Sequence, residues 1–343
     1  MLLRNDRRSM FPGWWVLGFL LLFVPGACTG GEDDRPGGGE EEAATDPEIW
    51  EGDIVAATRA LRPQEGTDRD WEIFRSIVTR VWGEGWDTLP MNEAMVRTGL
   101  LFVGTPYAPG TLEVAGSEAV VMNLEELDCV TFVENVLALN RFVRIQDQGI
   151  LESEWETRDA YRAALREIRY RSGRIDGYPS RLHYFSDWIL DNESKGLVQE
   201  MTQDMGGEED IRAIDFMTTH PEAYRQLADL ANLRTIQQTE YQLSLLTRFK
   251  IPEDRISTRM SGIRNGDIIA ATSTVEGLDV AHTGLAYWQG SELYLLHAPL
   301  VGGNVEVSRQ PLAERILRLD GQDGIRVVRV LDPADPGVGD SLP

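Results

Sequence analysis

Asp128-Cys129-Val130-Thr131-Phe132-Val133-Glu134-Asn135-Val136-Leu137-Ala138-Leu139-Asn140 is the stretch from which the fold reads outward. A short carboxylate at Asp128 can accept a backbone N–H at a helix start. Val133, Val136, Leu137 and Asn140 follow at i, i+3, i+4 and i+7, the spacing of one helical face, so a helix is predicted to run to about Val143. That spacing puts the Cys129 sulfur in the first turn, where unpaired N–H groups and the helix dipole favour a thiolate. A buried structural cysteine is the competing reading of the same residues.

Compartment weighs on that choice. Arg4, Arg7 and Arg8 precede an apolar run from Trp14 to Val24, and Gly26-Ala27 lead into Cys28. This is the pattern of an export signal, too short for a membrane span of roughly 20 residues. Small residues followed by cysteine resemble a bacterial lipoprotein cleavage site, with Cys28 as the lipidated residue, although Pro25 departs from the usual aliphatic residue there. The expectation is a signal peptide at 1–28 and a membrane-anchored lipoprotein of the bacterial envelope. The chain has two cysteines, so lipid on Cys28 leaves Cys129 as a lone thiol in an oxidising compartment. A Cys28–Cys129 disulfide is the alternative, and the acidic segment between signal and globule gives it no purpose.

Residues 29–53 are rich in glycine, proline and acids (Glu32-Asp33-Asp34, Gly37-Gly38-Gly39, Glu40-Glu41-Glu42) and read as a disordered tether. Net charge is −23, and −25 without residues 1–28. That balance speaks against nucleic acid as a partner, which needs basic patches.

A globular domain is expected over 54–335, with a frayed tail after Pro333. Trp71 to Trp82, Met91 to Leu101 and Glu154 to Arg169 have helical spacing, and Val120 to Asn123 reads as a short strand. The segment from about 150 to 250 reads as a mainly helical insertion, with an amphipathic helix over Thr235 to Phe249. Leu197 to Met205 is ambiguous between strand and helix. After Pro252 the period shortens to that of strands: Asp267–Ala271, Thr283–Trp288, Leu293–His297, Val305–Ser308 and Ile325–Leu331. Helices first and an antiparallel sheet last make the class α+β.

A cysteine nucleophile needs a base and a group that orients it. Four histidines are available. His282 and His297 fall on adjacent predicted strands, close enough in register to meet, unless both are ordinary strand residues. Gly104-x-Pro106-Tyr107-x-x-Gly110, Asp128-Cys129, Gly266-Asp267-Ile268-Ile269, His282-x-Gly284 and His297-Ala298 occur in an order that resembles the papain-like, NlpC-type cell-wall peptidase superfamily. Leu112-Glu113, Arg181-Leu182-His183-Tyr184-Phe185 with Asp187-Trp188, and Phe216-Met217 with His220 and Tyr224 resemble its N-acetylmuramoyl-L-alanine amidase-like branch.

The resemblance implies a papain-like fold with the nucleophile at a helix N-terminus packed on an antiparallel sheet, and Cys129, His282 and His297 as the catalytic set. It implies Tyr107 beside the thiol, no metal or other cofactor, and peptidoglycan fragments as substrate, those with 1,6-anhydro ends included. Arg181, Tyr184, Asp187 and Trp188 are expected to form a substrate wall, with Arg181 meeting a carboxylate and an aromatic ring stacking on sugar. Three alternatives stay open: a stem-peptide endopeptidase, a non-catalytic muropeptide-binding lipoprotein, and a zinc amidase using His183, His282 and His297, which leaves Cys129 idle.

Overall fold

The computed structural model describes residues 64–114, 116–300 and 303–333. The predicted signal peptide, the expected lipidation at Cys28, the expected acidic tether and the tail after Pro333 lie outside the described residues.

Two helices come first, α1 (Asp68–Gly83) and α2 (Met91–Leu100), followed by α3 (Cys129–Ile145). The cap expected at Asp128 is a reciprocal one. Its carboxylate accepts from the Thr131 N–H at 2.7 Å, and the Thr131 hydroxyl accepts from the Asp128 N–H at 2.9 Å. α3 is buried on more sides than its expected face, because Phe132, Ala138 and Leu139 are covered as fully as Val133 and Leu137. Its polar interior residues are satisfied within that shell. Asn135 donates to the Thr131 carbonyl at 2.7 Å and accepts from the Tyr161 hydroxyl at 2.8 Å.

Helices α4 (Glu154–Arg169), α5 (Phe185–Ser194) and α6 (Leu230–Ser244) follow, with strands β1 (Val198–Glu200) and β2 (Glu208–Asp210) between the last two. The expected helical insertion is therefore not all helix. Leu197–Met205 resolves into a three-residue strand, and the helix expected to reach Phe249 ends at Ser244, giving way to β3 (Arg248–Pro252). β4 (Ile268–Ser273), β5 (Val280–Gln289), β6 (Glu292–His297), β7 (Glu306–Val307), α7 (Leu312–Arg318) and β8 (Gln322–Val330) complete the described chain.

The strands form one antiparallel sheet in the order β2-β3-β8-β4-β5-β6-β7, with β1 also on β8. Both faces are covered. Ile268, Ala270, Leu285 and Leu296 pack toward α1–α5, while Ile269, Ala271, Ala286 and Leu295 pack toward Leu312 and Ile316 of α7. Double coverage explains why β4 reads as an unbroken apolar run rather than an alternating one.

Val120 to Asn123 is not a strand. Side chains take the carbonyls that a neighbouring strand would otherwise need: Arg169 donates to Val121, Asn135 to Asn123 and Tyr170 to Ala119.

β5 and β6 approach closely at Gly284, where an added Cβ would lie 2.8 Å from the Leu296 carbonyl oxygen and 2.9 Å from His297 Cβ. Gly284→Ala is expected to cost roughly 1–3 kcal/mol through forced backbone shift, read by denaturant unfolding. A neutral result would show that β6 yields freely there.

Candidate active site

A cleft of about 270 Å³ opens where the start of α3 meets β5, and Tyr107, Cys129, Val130, Tyr184, Tyr224, His282 and Thr283 are among its lining residues. Cys129 is half-buried there, so its first-turn position also has access.

Three local devices bring these residues together. The Thr283 hydroxyl donates to the Cys129 carbonyl at 2.8 Å, pinning the first turn of α3 to β5 one residue from His282. The Tyr107 N–H donates to the Gly303 carbonyl at 2.9 Å, and the Ala108 N–H donates to the Leu127 carbonyl at 3.1 Å. This places the turn-rich Gly104–Gly110 loop beside the two residues that lead into Cys129. The Asp279 carboxylate accepts from the Ser186 N–H at 2.6 Å and from the Val280 N–H at 2.8 Å, joining the start of α5 to the start of β5.

His282 Nε2 lies 2.7 Å from His297 Nδ1, with the two rings perpendicular. The adjacent-strand expectation is met: β5 and β6 are paired from Leu285↔Leu296 onward, which carries both imidazoles to the same end. His282 lines the cleft, while His297 lies behind it at 1% exposure. One proton is shared along that contact. If it resides on His282 Nε2, His282 Nδ1 keeps its lone pair and can act as a base.

Burial, reinforced by the Arg315 guanidinium of α7, lowers His282 to about 3. Burial, with His282 and Arg315 adding to it, also holds His297 well below the usual imidazole range. Both rings are neutral at neutral pH. Unfolded imidazoles titrate near 6.5, so below that value the unfolded chain binds protons that the folded chain does not. The stability these rings contribute is complete above about pH 6.5 and falls as pH drops toward about 3. A His282→Gln/His297→Gln variant is expected to lose stability less steeply than wild type between pH 6.5 and 4, read by thermal unfolding at each pH. Parallel slopes would contradict the neutral pair.

The expected substrate wall is largely engaged within the protein. Arg181 reaches Glu113 at 2.6 Å and Glu118 at 3.2 Å. Asp187 is held by Arg171 through two contacts of 2.8 and 2.7 Å. Trp188 is fully buried and donates its indole N–H to Glu134 at 3.2 Å, so it offers no face for a sugar. Burial pushes the Glu134 carboxyl up, against the opposing pull of Arg169 at 2.5 Å.

The Tyr184 hydroxyl donates to Glu240 at 2.6 Å and accepts from the Met217 N–H at 2.8 Å, leaving only ring surface toward the cleft. His183 donates from Nε2 to the Tyr178 carbonyl at 2.9 Å, and burial lowers it well below the ordinary value. Among the described residues no three His, Cys, Asp or Glu side chains gather as a metal site, so the three-histidine alternative finds no such grouping.

Thr283, Asp279 and Glu113 were not singled out for these roles by sequence reasoning. Glu113 had appeared only within a motif. A strand threonine carries no signal beyond β-propensity, and only tertiary structure shows its bond to Cys129.

The chain matches the AmiA-like family, described as N-acetylmuramoyl-L-alanine amidase-like, over residues 97–322. No curated protein matches it. Among solved structures it is similar to an N-acetylmuramoyl-L-alanine amidase from Bacteroides uniformis, at 35% identity and a TM-score of 0.65, covering 71% of this chain and 99% of that one. It is similar as well to a Bacteroides fragilis protein provisionally named a xylanase, at 38% identity and a TM-score of 0.62, over 68% of this chain and 99% of the other. A Legionella pneumophila protein at 20% identity and a TM-score of 0.56 covers 77% of this chain and 95% of its own, and speaks to the fold alone.

Proposed function

The chain belongs to the N-acetylmuramoyl-L-alanine amidase-like family, and on that premise we propose that it is a cysteine amidase cutting the bond between N-acetylmuramic acid and L-alanine in peptidoglycan fragments, those with 1,6-anhydro ends included. The observation that carries this reading is one cleft lined by Cys129 at the start of α3 and by His282, whose Nε2 is held 2.7 Å from His297. The packing of α3 on the antiparallel sheet, with Cys129 in its first turn, supports a papain-like, NlpC-type reading of the fold.

In this mechanism His282 Nδ1 takes the Cys129 proton as the sulfur attacks the lactyl carbonyl. The resulting oxyanion is met by the Cys129 backbone N–H and the Tyr107 hydroxyl. Collapse forms a muramoyl thioester and releases the alanine amine, which takes its proton from His282. Water, deprotonated by the same imidazole, then frees the sugar acid. His297 holds the ring and its tautomer throughout.

Export and a lipid anchor at Cys28 would place this chemistry at the envelope, where its substrate is generated. Mass spectrometry of muropeptides incubated with protein lacking residues 1–28 tests the activity. Intact stem peptide and free sugar acid are expected. A shortened glycopeptide would move the function to stem-peptide cleavage, a cut between sugars to glycoside hydrolysis, and binding without any cut to a muropeptide-holding lipoprotein.

A further inference from the structure

The charges along the cleft are unbalanced in one direction. Its described lining includes Glu113, Asp128, Glu134 and Asp279, and among the described residues Arg181 is its sole arginine, with no lysine beside it. Glu134 is neutralised from below by Arg169. Asp128 and Asp279 hold backbone N–H groups. Arg181 alone could answer an anion, and its guanidinium is held between Glu113 at 2.6 Å and Glu118 at 3.2 Å. Two carboxylates thus share one cation. Glu113, which itself lines the cleft, takes the guanidinium nitrogen that a substrate carboxylate would need.

We propose that Glu113 is a specificity-determining residue that masks Arg181, so that the enzyme selects stem peptides whose carboxyl near the scissile alanine is amidated over those in which it is free. This rests on the amidase reading above and deepens it, by naming the charge class of substrate that the cleft accepts. A free carboxylate entering the cleft meets a lining in which carboxylates outnumber cations, with the Arg181 Nη2 donor already given to Glu113. An amide at the same place carries no charge to repel. The sign also runs opposite to what a lone arginine in an active-site motif suggests from sequence.

The test compares kcat/KM on N-acetylmuramoyl-L-alanyl-D-isoglutamine and on its D-glutamate counterpart, each at low and high salt. Wild type is expected to favour the amide by about tenfold at low salt, the effect of roughly one unscreened like-charge contact. Salt is expected to shrink that ratio. Glu113→Gln removes one negative charge from the cleft and leaves Arg181 balanced by Glu118 alone, and the ratio is expected to fall to about one or to invert, chiefly through KM for the free acid.

Equal rates on both substrates, or a preference for the free acid, in wild type would overturn the inference while leaving the amidase reading intact. An unchanged ratio in a folded Glu113→Gln would remove Glu113 from the role. Should that variant fail to fold, the salt dependence of the wild-type ratio still decides. If wild type cleaves neither substrate, nor the same pair with 1,6-anhydro ends, the amidase reading fails and takes the inference with it.

Discussion

Replacing Cys129 with serine is expected to lower the rate of stem-peptide release by about a thousandfold or more, the scale seen when a nucleophile that works as part of a unit is removed. On the proposed mechanism, the neutral His282–His297 pair would not activate a serine there. A neutral imidazole of low basicity can draw a proton from a thiol far more readily than from a hydroxyl, whose intrinsic acidity is much weaker. The fold is expected to survive. The cap at Asp128 uses the backbone and side chain of Thr131, and the Thr283 contact uses the Cys129 carbonyl, so these two anchors of the first turn do not depend on sulfur. Product release measured by chromatography, beside a melting curve for each protein, checks both halves. Retained turnover in the serine variant would show that sulfur is not the nucleophile.

Loss of Glu134 is expected to be the most destabilising single change beneath the cleft. Glu134 is 2% exposed, and its carboxylate meets Arg169 at 2.5 Å and accepts from Trp188 at 3.2 Å, linking α3 to α4 and α5. Glu134→Ala leaves the Arg169 guanidinium buried without its counter-charge, a change that costs about 3–5 kcal/mol. In a chain of this size the melting temperature is expected to drop by roughly 10 °C. Removing both charges, as Glu134→Met with Arg169→Met, is expected to recover much of the loss, because the penalty lies in the orphaned ion rather than in the absent pair. A double variant no more stable than the single one would show that packing, not charge, dominates there.

Helix α3 was legible because its signals are local. Asp128 and Thr131 stand three residues apart, and the apolar spacing after them admits only a helix. The strands that carry His282 and His297 were legible for the same reason, since their turns and apolar runs lie within thirty or so residues. The Arg181–Trp188 stretch was not. A run rich in Arg, His, Tyr and Trp looks alike whether it lines a sugar site or knits a core. The deciding partners are distant in sequence: Glu113 is 68 residues from Arg181, and Glu134 is 54 from Trp188. Strands β1 and β2 escaped because three residues give no period to read, and their sheet partners lie far along the chain. The end of α6 at Ser244 was missed for a related reason. Leu245, Leu246 and Phe249 extend the apolar pattern past the helix, while Arg248, buried against the Leu243 and Arg212 carbonyls, begins a strand.

The identity of the covalent intermediate distinguishes the central claim from its rivals most directly. Protein lacking residues 1–28 would be mixed with a muropeptide, quenched in acid within milliseconds, and weighed intact before digestion locates any adduct. The account predicts added mass equal to the muramoyl acyl group, carried on Cys129 and absent from Cys129→Ser. A peptidyl adduct on Cys129 would keep the thiol chemistry and move the cut into the stem. Product formed at full rate with no adduct on Cys129, or with one on another residue, would contradict the account.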